Sequence, residues 1–111
     1  MKNSLDFYRE LGLAIPVSAN EEHHVEVAYD GVLLSFDTLE SAQMILGDQQ
    51  EPVGYRMEIA FQYDSKEELD ESFTRLTLKG YKGHTEPMDT PWGERYAIIK
   101  DPDDNLISLV G

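Results

Sequence analysis

The sequence predicts an α+β domain built from two architecturally related halves, with helices packed on curved antiparallel sheets. Each half contains a helical segment that ends at a glycine, followed by segments of alternating polarity. Two turn signals support the strand assignments: Asp30-Gly31 in the first half and the acidic stretch after Lys100 in the second. The two halves therefore indicate a duplicated unit within one domain.

The first predicted element is a helix from about Ser4 to Leu11. Asn3 or Ser4 is the expected N-cap, and Gly12 suits the left-handed position that ends a helix. Residues 13–17 form a plausible short strand, although a proline interrupts it.

Residues 23–37 predict a β-hairpin that turns at Asp30-Gly31. Alternation places His24 and Glu26 on one face of the first strand, and two valines on the other. A helix over residues 38–46 should follow, with Asp37 as its cap and a glycine as its stop.

A polar stretch with a proline, residues 48–54, is the best candidate for a linker. We therefore divide the single domain, residues 1–111, into module 1 (about 1–47), this linker, and module 2 (about 55–111).

Module 2 predicts the order strand, helix, strand, strand, strand. Residues 56–63 alternate strictly, and Ser65 with Glu68 forms a capping box that opens a helix to Lys79. The apolar stripe of this helix belongs to the core. The last three strands are expected over about 81–87, 95–100 and 106–110.

Module 1 lacks an opening strand, because only three residues precede its helix. We expect either that the natural chain begins before Met1 or that the strand comes from another chain. An exposed sheet edge of this kind favours pairing with a second protein molecule.

Composition narrows the possible partners. The 111 residues include 22 acids, 9 bases and no cysteine, for a net charge of −13. This charge disfavours nucleic acids and anionic membranes. The chain has no apolar leader and no stretch long enough to span a bilayer, so a cytoplasmic location is expected.

Two segments, SLDFYRELG at residues 4–12 and WGERYAIIKDPDDNLISL at 92–109, resemble the glyoxalase/bleomycin-resistance/extradiol-dioxygenase superfamily, the vicinal oxygen chelate fold. Asp104 stands where the family usually has glycine, and aspartate tolerates the positive φ of that turn. The resemblance implies paired βαβββ modules that form a partly open barrel around a concave ligand cup, often in a homodimer.

The family's metal-dependent members hold a divalent ion with His, Gln or Glu on the first and last strands of each module. At the matching positions this chain has no first strand, then Ser35 or Asp37, then Glu58, then Ser108. One clear carboxylate does not make a metal site, so we expect no cofactor. A divalent metal becomes possible if an N-terminal strand is missing.

Several residues remain candidates with two interpretations each. Glu58 is either a general base, if it is desolvated, or the ion-pair partner of Arg56. His24 and Glu26 are either metal ligands or exposed hairpin residues. Trp92 either stacks on a flat ligand or packs its loop against the core. The predicted ligand-binding residues are His24, Glu26, Ser35, Arg56, Glu58, Gln62, Trp92, Arg95, Tyr96 and Ser108.

The resulting prediction is a metal-independent protein of this family that binds a small organic molecule, for sequestration or drug resistance. Glu26 and Glu58 would favour a planar cation. The alternatives are a metal-dependent lyase, isomerase or dioxygenase of the superfamily, and a non-catalytic regulatory or scaffolding protein.

Overall fold

A computed structural model describes residues 1–111 except Gln49, Pro52 and Arg56. The chain divides into two units, Met1–Val53 and Gly54–Gly111. The first contains helix α1 (Lys2–Glu10), a 3-10 helix (Val17–Glu21), strands β1 (His24–Tyr29) and β2 (Val32–Asp37), and helix α2 (Leu39–Leu46). The second contains β3 (Glu58–Gln62), α3 (Lys66–Leu78), β4 (Gly83–Asp89), β5 (Arg95–Lys100) and β6 (Leu106–Val110). The predicted α+β class is confirmed. None of the described helices is long and apolar enough to cross a membrane.

Helix α1 begins earlier than the sequence predicts. Met1 is the N-cap, and its carbonyl accepts the Leu5 amide at 3.1 Å as the first bond of the helix. It makes no side-chain capping bond, because a thioether is only a weak acceptor. Asn3 and Ser4 therefore lie inside the first turn, and their predicted capping role is wrong. The predicted stop is confirmed, since Gly12 has φ +100°.

The strand predicted over residues 13–17 does not form. Instead, the Arg9 guanidinium satisfies the carbonyls of this segment, donating to Ile15 at 2.9 Å and to Pro16 at 2.8 Å. A 3-10 helix follows from Val17. The segment nevertheless packs into the core, because Leu13 and Ile15 are buried.

The predicted hairpin is confirmed, with β1 and β2 antiparallel and Asp30 and Gly31 both at positive φ. Val25 and Val27 are buried. The cap of α2 differs from the prediction: Thr38, not Asp37, accepts the Ser41 amide at 3.2 Å. Asp37 is the last residue of β2, and its carboxylate bonds the His24 ring and the Ser41 hydroxyl instead.

The sheet of the second unit has the strand order β3-β6-β5-β4. β3 pairs with β6 in parallel, whereas the other pairs are antiparallel, so the sheet is mixed rather than purely antiparallel as predicted. The reason is the helical crossover: α3 carries the chain over the sheet, which lets β4 re-enter in the direction of β3.

Register divides this sheet into two faces. Cross-strand partners share a face, so Ile59, Ile107 and Ile99 form one buried-side row, and Phe61, Leu109 and Ala97 form the next. Helix α3 packs on this face through Leu69, Phe73 and Leu76, which are buried. We call the opposite surface the helix-free face. It carries Glu58, Ala60, Gln62, Tyr96, Ile98, Lys100, Leu106, Ser108 and Val110.

The boundaries of the second unit follow local signals closely. Ser65 caps α3 by accepting the Glu68 amide at 3.1 Å, as predicted. β5 and β6 match their predicted ranges. The strand predicted over 81–87 starts two residues late, because the Tyr81 amide bonds the Leu76 carbonyl and so completes the end of the helix.

The sharp turn between β5 and β6 is organised by one carboxylate. Asp101 Oδ1 accepts the amides of Asp103 and Asn105, each at 2.9 Å, and Oδ2 accepts the Asn105 side chain at 2.8 Å. Asp104 has φ +65°, as the substitution for glycine requires.

We expect Arg9→Met to lower the free energy of unfolding by about 1–2 kcal/mol, since it removes the guanidinium donor from the Ile15 and Pro16 carbonyls. The Pro16 carbonyl keeps its bond from the Ala19 amide at 3.0 Å, so the loss falls mainly on Ile15. Urea denaturation measures the loss. Lys2→Met is the matched control: Lys2 contacts the same Asp6 carboxylate at 2.7 Å but bonds no carbonyl of this segment. A loss equal to that of the control would contradict the bridging role of Arg9.

Gly83→Ala should destabilise the second unit, because the added Cβ would lie 2.7 Å from Phe73 Cζ. Overpacking of this kind costs about 1–3 kcal/mol. The double variant Gly83→Ala/Phe73→Leu removes the clashing ring atom and should be less destabilised than the two single losses added together. Strict additivity of the two substitutions in thermal or urea unfolding would show that the clash is not the cause.

Candidate functional site

A hydrogen-bond chain crosses the helix-free face of the second unit. The Tyr96 hydroxyl donates to Glu58 Oε1 at 3.2 Å and lies 3.0 Å from Ser108 Oγ. Because the single phenolic proton goes to Glu58, the serine must donate its own proton to the Tyr96 oxygen. The chain therefore runs from Ser108 through Tyr96 to the carboxylate.

Strand register explains how three strands contribute to this chain. Tyr96 on β5 pairs with Val110 on β6, while Ser108 lies two residues further along β6. On β3, Ala60 pairs with Ser108, and Glu58 lies two residues away on the same face. The tyrosine side chain thus reaches diagonally across β6 toward β3. Its ring covers part of the sheet surface.

The residues of this hydrogen-bond chain differ in their exposure to solvent. Ser108 is only 1% exposed, and its hydroxyl has the Tyr96 partner that a buried polar group requires. Glu58 is exposed. The general-base hypothesis for Glu58 depends on desolvation, which the fold of this unit does not itself provide. The arrangement instead holds an accessible carboxylate in one orientation.

The first unit has a separate polar cluster on the face opposite Val25 and Val27. His24 Nδ1 lies 2.6 Å from Asp37 Oδ1, and its Nε2 lies 3.0 Å from Glu26 Oε1. These bonds to Glu26 and Asp37 raise the pKa of His24, and the bond to His24 lowers the pKa of Asp37. Ser35 pairs with Glu26 on the same face. An imidazolium at this position balances two carboxylates.

The donor sets fit a divalent metal poorly. In the second unit they are one carboxylate and two neutral hydroxyls already bonded to each other. In the first, both nitrogens of His24 are bonded to carboxylates, so a metal ion could reach the imidazole only by displacing Asp37 or Glu26. Across the described ranges, no group of three or more His, Asp or Glu is placed to share a metal.

Two further predicted site residues, Arg95 and Gln62, lie on opposite faces of the sheet. Arg95 and Tyr96 are consecutive in β5, so they face opposite ways, and Arg95 lies on the helix side. It donates to Asp70 from Nε at 3.0 Å and from Nη2 at 3.1 Å, and this pairing raises its pKa. Gln62 is on the helix-free face. Arg56 lies outside the described residues, so its pairing with Glu58 stays a prediction.

Trp92 lies in the turn between β4 and β5 and is 72% exposed. Its indole Nε1 donates to Glu94 at 3.4 Å. The alternative in which it packs its loop against the core is therefore wrong, while stacking on a ligand stays a prediction.

Sequence analysis missed a second cluster in this unit. The Lys100 ammonium lies 5.4 Å above the centre of the Tyr55 ring, and the ring of His84 lies 5.8 Å from that of Tyr55. The hydrogen bond with Tyr55 raises the pKa of Lys100, and Asp104 adds to the effect. Alternation within RYAIIK was the available signal, since it places Lys100 and Tyr96 on one face.

The His24 cluster predicts a pH dependence of stability. Because the folded-state pKa of His24 is raised, its stabilising contribution is complete below the ordinary value of 6.5 and is lost as the pH rises through the raised value. Unfolding free energies measured at low salt, from about pH 5.5 to about pH 9, should fall less in His24→Gln than in the parent.

His23→Gln provides the matched control for this experiment, because His23 is the neighbouring histidine and its Nδ1 lies 3.4 Å from Thr38. It should keep the parent profile. The same profile in His24→Gln as in the parent would contradict the role assigned to His24.

Comparison with known proteins identifies the family. A sequence profile of the Glyoxalase/Bleomycin resistance protein/Dioxygenase superfamily matches residues 1–109. The uncharacterised protein YraH of Bacillus subtilis (strain 168) is 29% identical over 112 residues, which cover 97% of this chain and 87% of that protein.

Solved structures agree on the fold. A glyoxalase-related enzyme from Fulvimarina pelagi has a TM-score of 0.82 at 22% identity, covering 99% of this chain and 78% of its own. A family enzyme from Burkholderia phytofirmans PsJN has 0.81 at 19% identity, covering 96% and 87%. Lactoylglutathione lyase from Agrobacterium tumefaciens has 0.65 at 18%, covering 98% and 83%. With a profile match over nearly its whole length, the chain belongs to the glyoxalase/bleomycin resistance protein/dioxygenase superfamily.

Proposed function

We propose that this chain binds a small organic molecule on the helix-free face of its second unit, without a metal ion, for sequestration or delivery. We further propose a cytoplasmic homodimer, which the family resemblance and the composition support. The net charge of −13 argues against nucleic acids and anionic membranes as partners.

One observation supports the metal-independent function above all others: the Tyr96 hydroxyl bridges Glu58 and Ser108. These are the two positions of the second module at which metal-dependent relatives place ligands. Here a phenol connects them. A divalent ion bound between these two positions would have to displace the phenol that links them, and besides the carboxylate it would gain only a neutral, buried serine oxygen.

The same geometry favours a cationic group in the ligand. Tyr96 is a neutral donor, so Glu58 keeps its full negative charge while its orientation is fixed. The other predicted acid of the cup, Glu26, bonds His24 instead. Glu58 is therefore the carboxylate that we assign to recognition of the ligand.

The rival functions make different demands. A metal-dependent lyase, isomerase or dioxygenase needs ligands beyond those in the described part of the chain. A scaffolding protein needs no small ligand at all. Metal content and binding of a planar cation together separate the three functions.

Benzamidine, a planar cation, is a suitable probe for titration followed by NMR. We expect it to bind protein pretreated with EDTA, and Glu58→Gln to weaken binding about five- to tenfold through loss of a charge-assisted hydrogen bond. Tyr96→Phe should weaken it about threefold, because the carboxylate is no longer oriented. Glu67→Gln, on α3, is the control of equal charge and should bind as the parent does.

Two results would overturn this function. Stoichiometric Ni, Zn, Fe or Mn in the purified protein, with binding lost on its removal, would establish the metal-dependent alternative. Failure of benzamidine and other planar cations to bind would favour the scaffolding alternative.

A further inference from the structure

A row of three residues across the helix-free face carries opposite charges at its ends. Glu58 on β3 pairs with Leu106 on β6, and Leu106 pairs with Lys100 on β5. Side chains of cross-strand partners point to the same side of a sheet. The carboxylate and the ammonium therefore project from one surface, with a leucine between them.

The spacing of this row is set by the sheet itself. Neighbouring strands lie about 4.8 Å apart, so the Cα atoms of Glu58 and Lys100 are about 9.5 Å apart. The surface between them is largely apolar: Leu106 and, in the adjacent row, Ile98 are partly exposed. An elongated ligand with an apolar body matches this surface.

A tyrosine holds each charge in place. Tyr96 donates to the Glu58 carboxylate at 3.2 Å. At the other end, Lys100 lies 5.4 Å over the centre of the Tyr55 ring, and the hydrogen bond with Tyr55 raises the pKa of the lysine. Asp104, the nearby acid, lies 3.9 Å from Lys82. Each charge therefore has a positioning residue at its own end of the row.

This positioning distinguishes a ligand site from an internal ion pair. A direct contact between Glu58 and Lys100 would require both side chains to fold over Leu106 and leave their tyrosines. A charge pair that is kept apart, with apolar surface between its members, is complementary to a molecule that carries the opposite charges at its two ends.

We propose that the ligand of this face is zwitterionic, with its cationic group at Glu58, its carboxylate or other anionic group at Lys100, and a flat apolar body over Leu106 and Ile98. The proposal rests on the binding function above and adds the second charge to it. Lys100 then acts as a specificity-determining residue.

Three matched probes test this proposal on the full-length protein: para-amidinobenzoate with both charges, benzamidine with only the cation, and benzoate with only the anion. We expect para-amidinobenzoate to bind about five- to tenfold more tightly than benzamidine, and benzoate to bind weakest in this acidic protein. NMR titration gives the affinities and shows whether the amides of β5 and β6 respond.

Variants assign the two ends. Lys100→Met should weaken para-amidinobenzoate about five- to tenfold without weakening benzamidine, because it removes a charge that repels the amidinium, whereas Glu58→Gln should weaken both. Lys66→Met is the control, because it removes the same charge at a different place: Lys66 lies at the start of α3 beside Asp89. It should bind all three probes as the parent does.

The outcomes separate the two proposals. Equal affinity for para-amidinobenzoate and benzamidine, with no effect of Lys100→Met, would overturn the zwitterion while leaving a cation-binding protein. If Lys66→Met and Lys100→Met have equal effects, Lys100 acts only through the net charge of the protein. That result would also overturn the zwitterion proposal. If none of the probes binds, both proposals fail together.

Discussion

The parallel pairing of β3 with β6 determines the chemistry of the second unit. It places Glu58 beside Leu106 and brings the carboxylate within reach of Tyr96, which projects from β5, a strand that is not paired with β3. The alternation of the same strands directs the three isoleucines of the neighbouring row toward α3. One backbone pairing thus separates a buried apolar face from a polar face with charged ends.

Several carboxylates of this acidic chain are paired with specific donors, although acids outnumber bases 22 to 9. Asp70 is matched by the guanidinium of Arg95, and both Glu26 and Asp37 by the imidazole of His24. In these cases a cation faces the carboxylate. Glu58 differs because its partner among the described residues is a neutral phenol, which orients the negative charge without balancing it. This difference distinguishes Glu58 from Asp70, Glu26 and Asp37.

Local signals in the sequence predict much of this fold. The Asp30-Gly31 turn, the Ser65 cap and the strands β5 and β6 all follow from residues close to one another in the chain. The failures involve contacts between distant positions. Nothing in residues 13–17 shows that Arg9 will bond two of their carbonyls in place of a strand. Nothing local specifies that β3 runs parallel to β6.

The candidate site was predictable in part for the same reason. Family resemblance directs attention to Glu58 and Ser108, but their connection through Tyr96 depends on register across three strands. Strand alternation alone predicts that Arg95 and Tyr96 lie on opposite faces of the sheet. The pairing of Arg95 with Asp70 on α3 confirms that Arg95 is on the helix side. Lys100 follows from the same alternation. Its position opposite Glu58 becomes visible only when the sheet order is known.

The β3–β6 pair also has a consequence for how the chain is assembled. It joins residues almost fifty positions apart, whereas α3 and the β4–β5 hairpin form from contacts close in the chain. Closing so long a loop costs chain entropy before any contact compensates for it. As the polypeptide leaves the ribosome, β3 emerges first among the strands of its sheet. Its pairing partner β6 is the last strand of the sheet to be synthesised, so β3 cannot pair until the end of the chain has emerged.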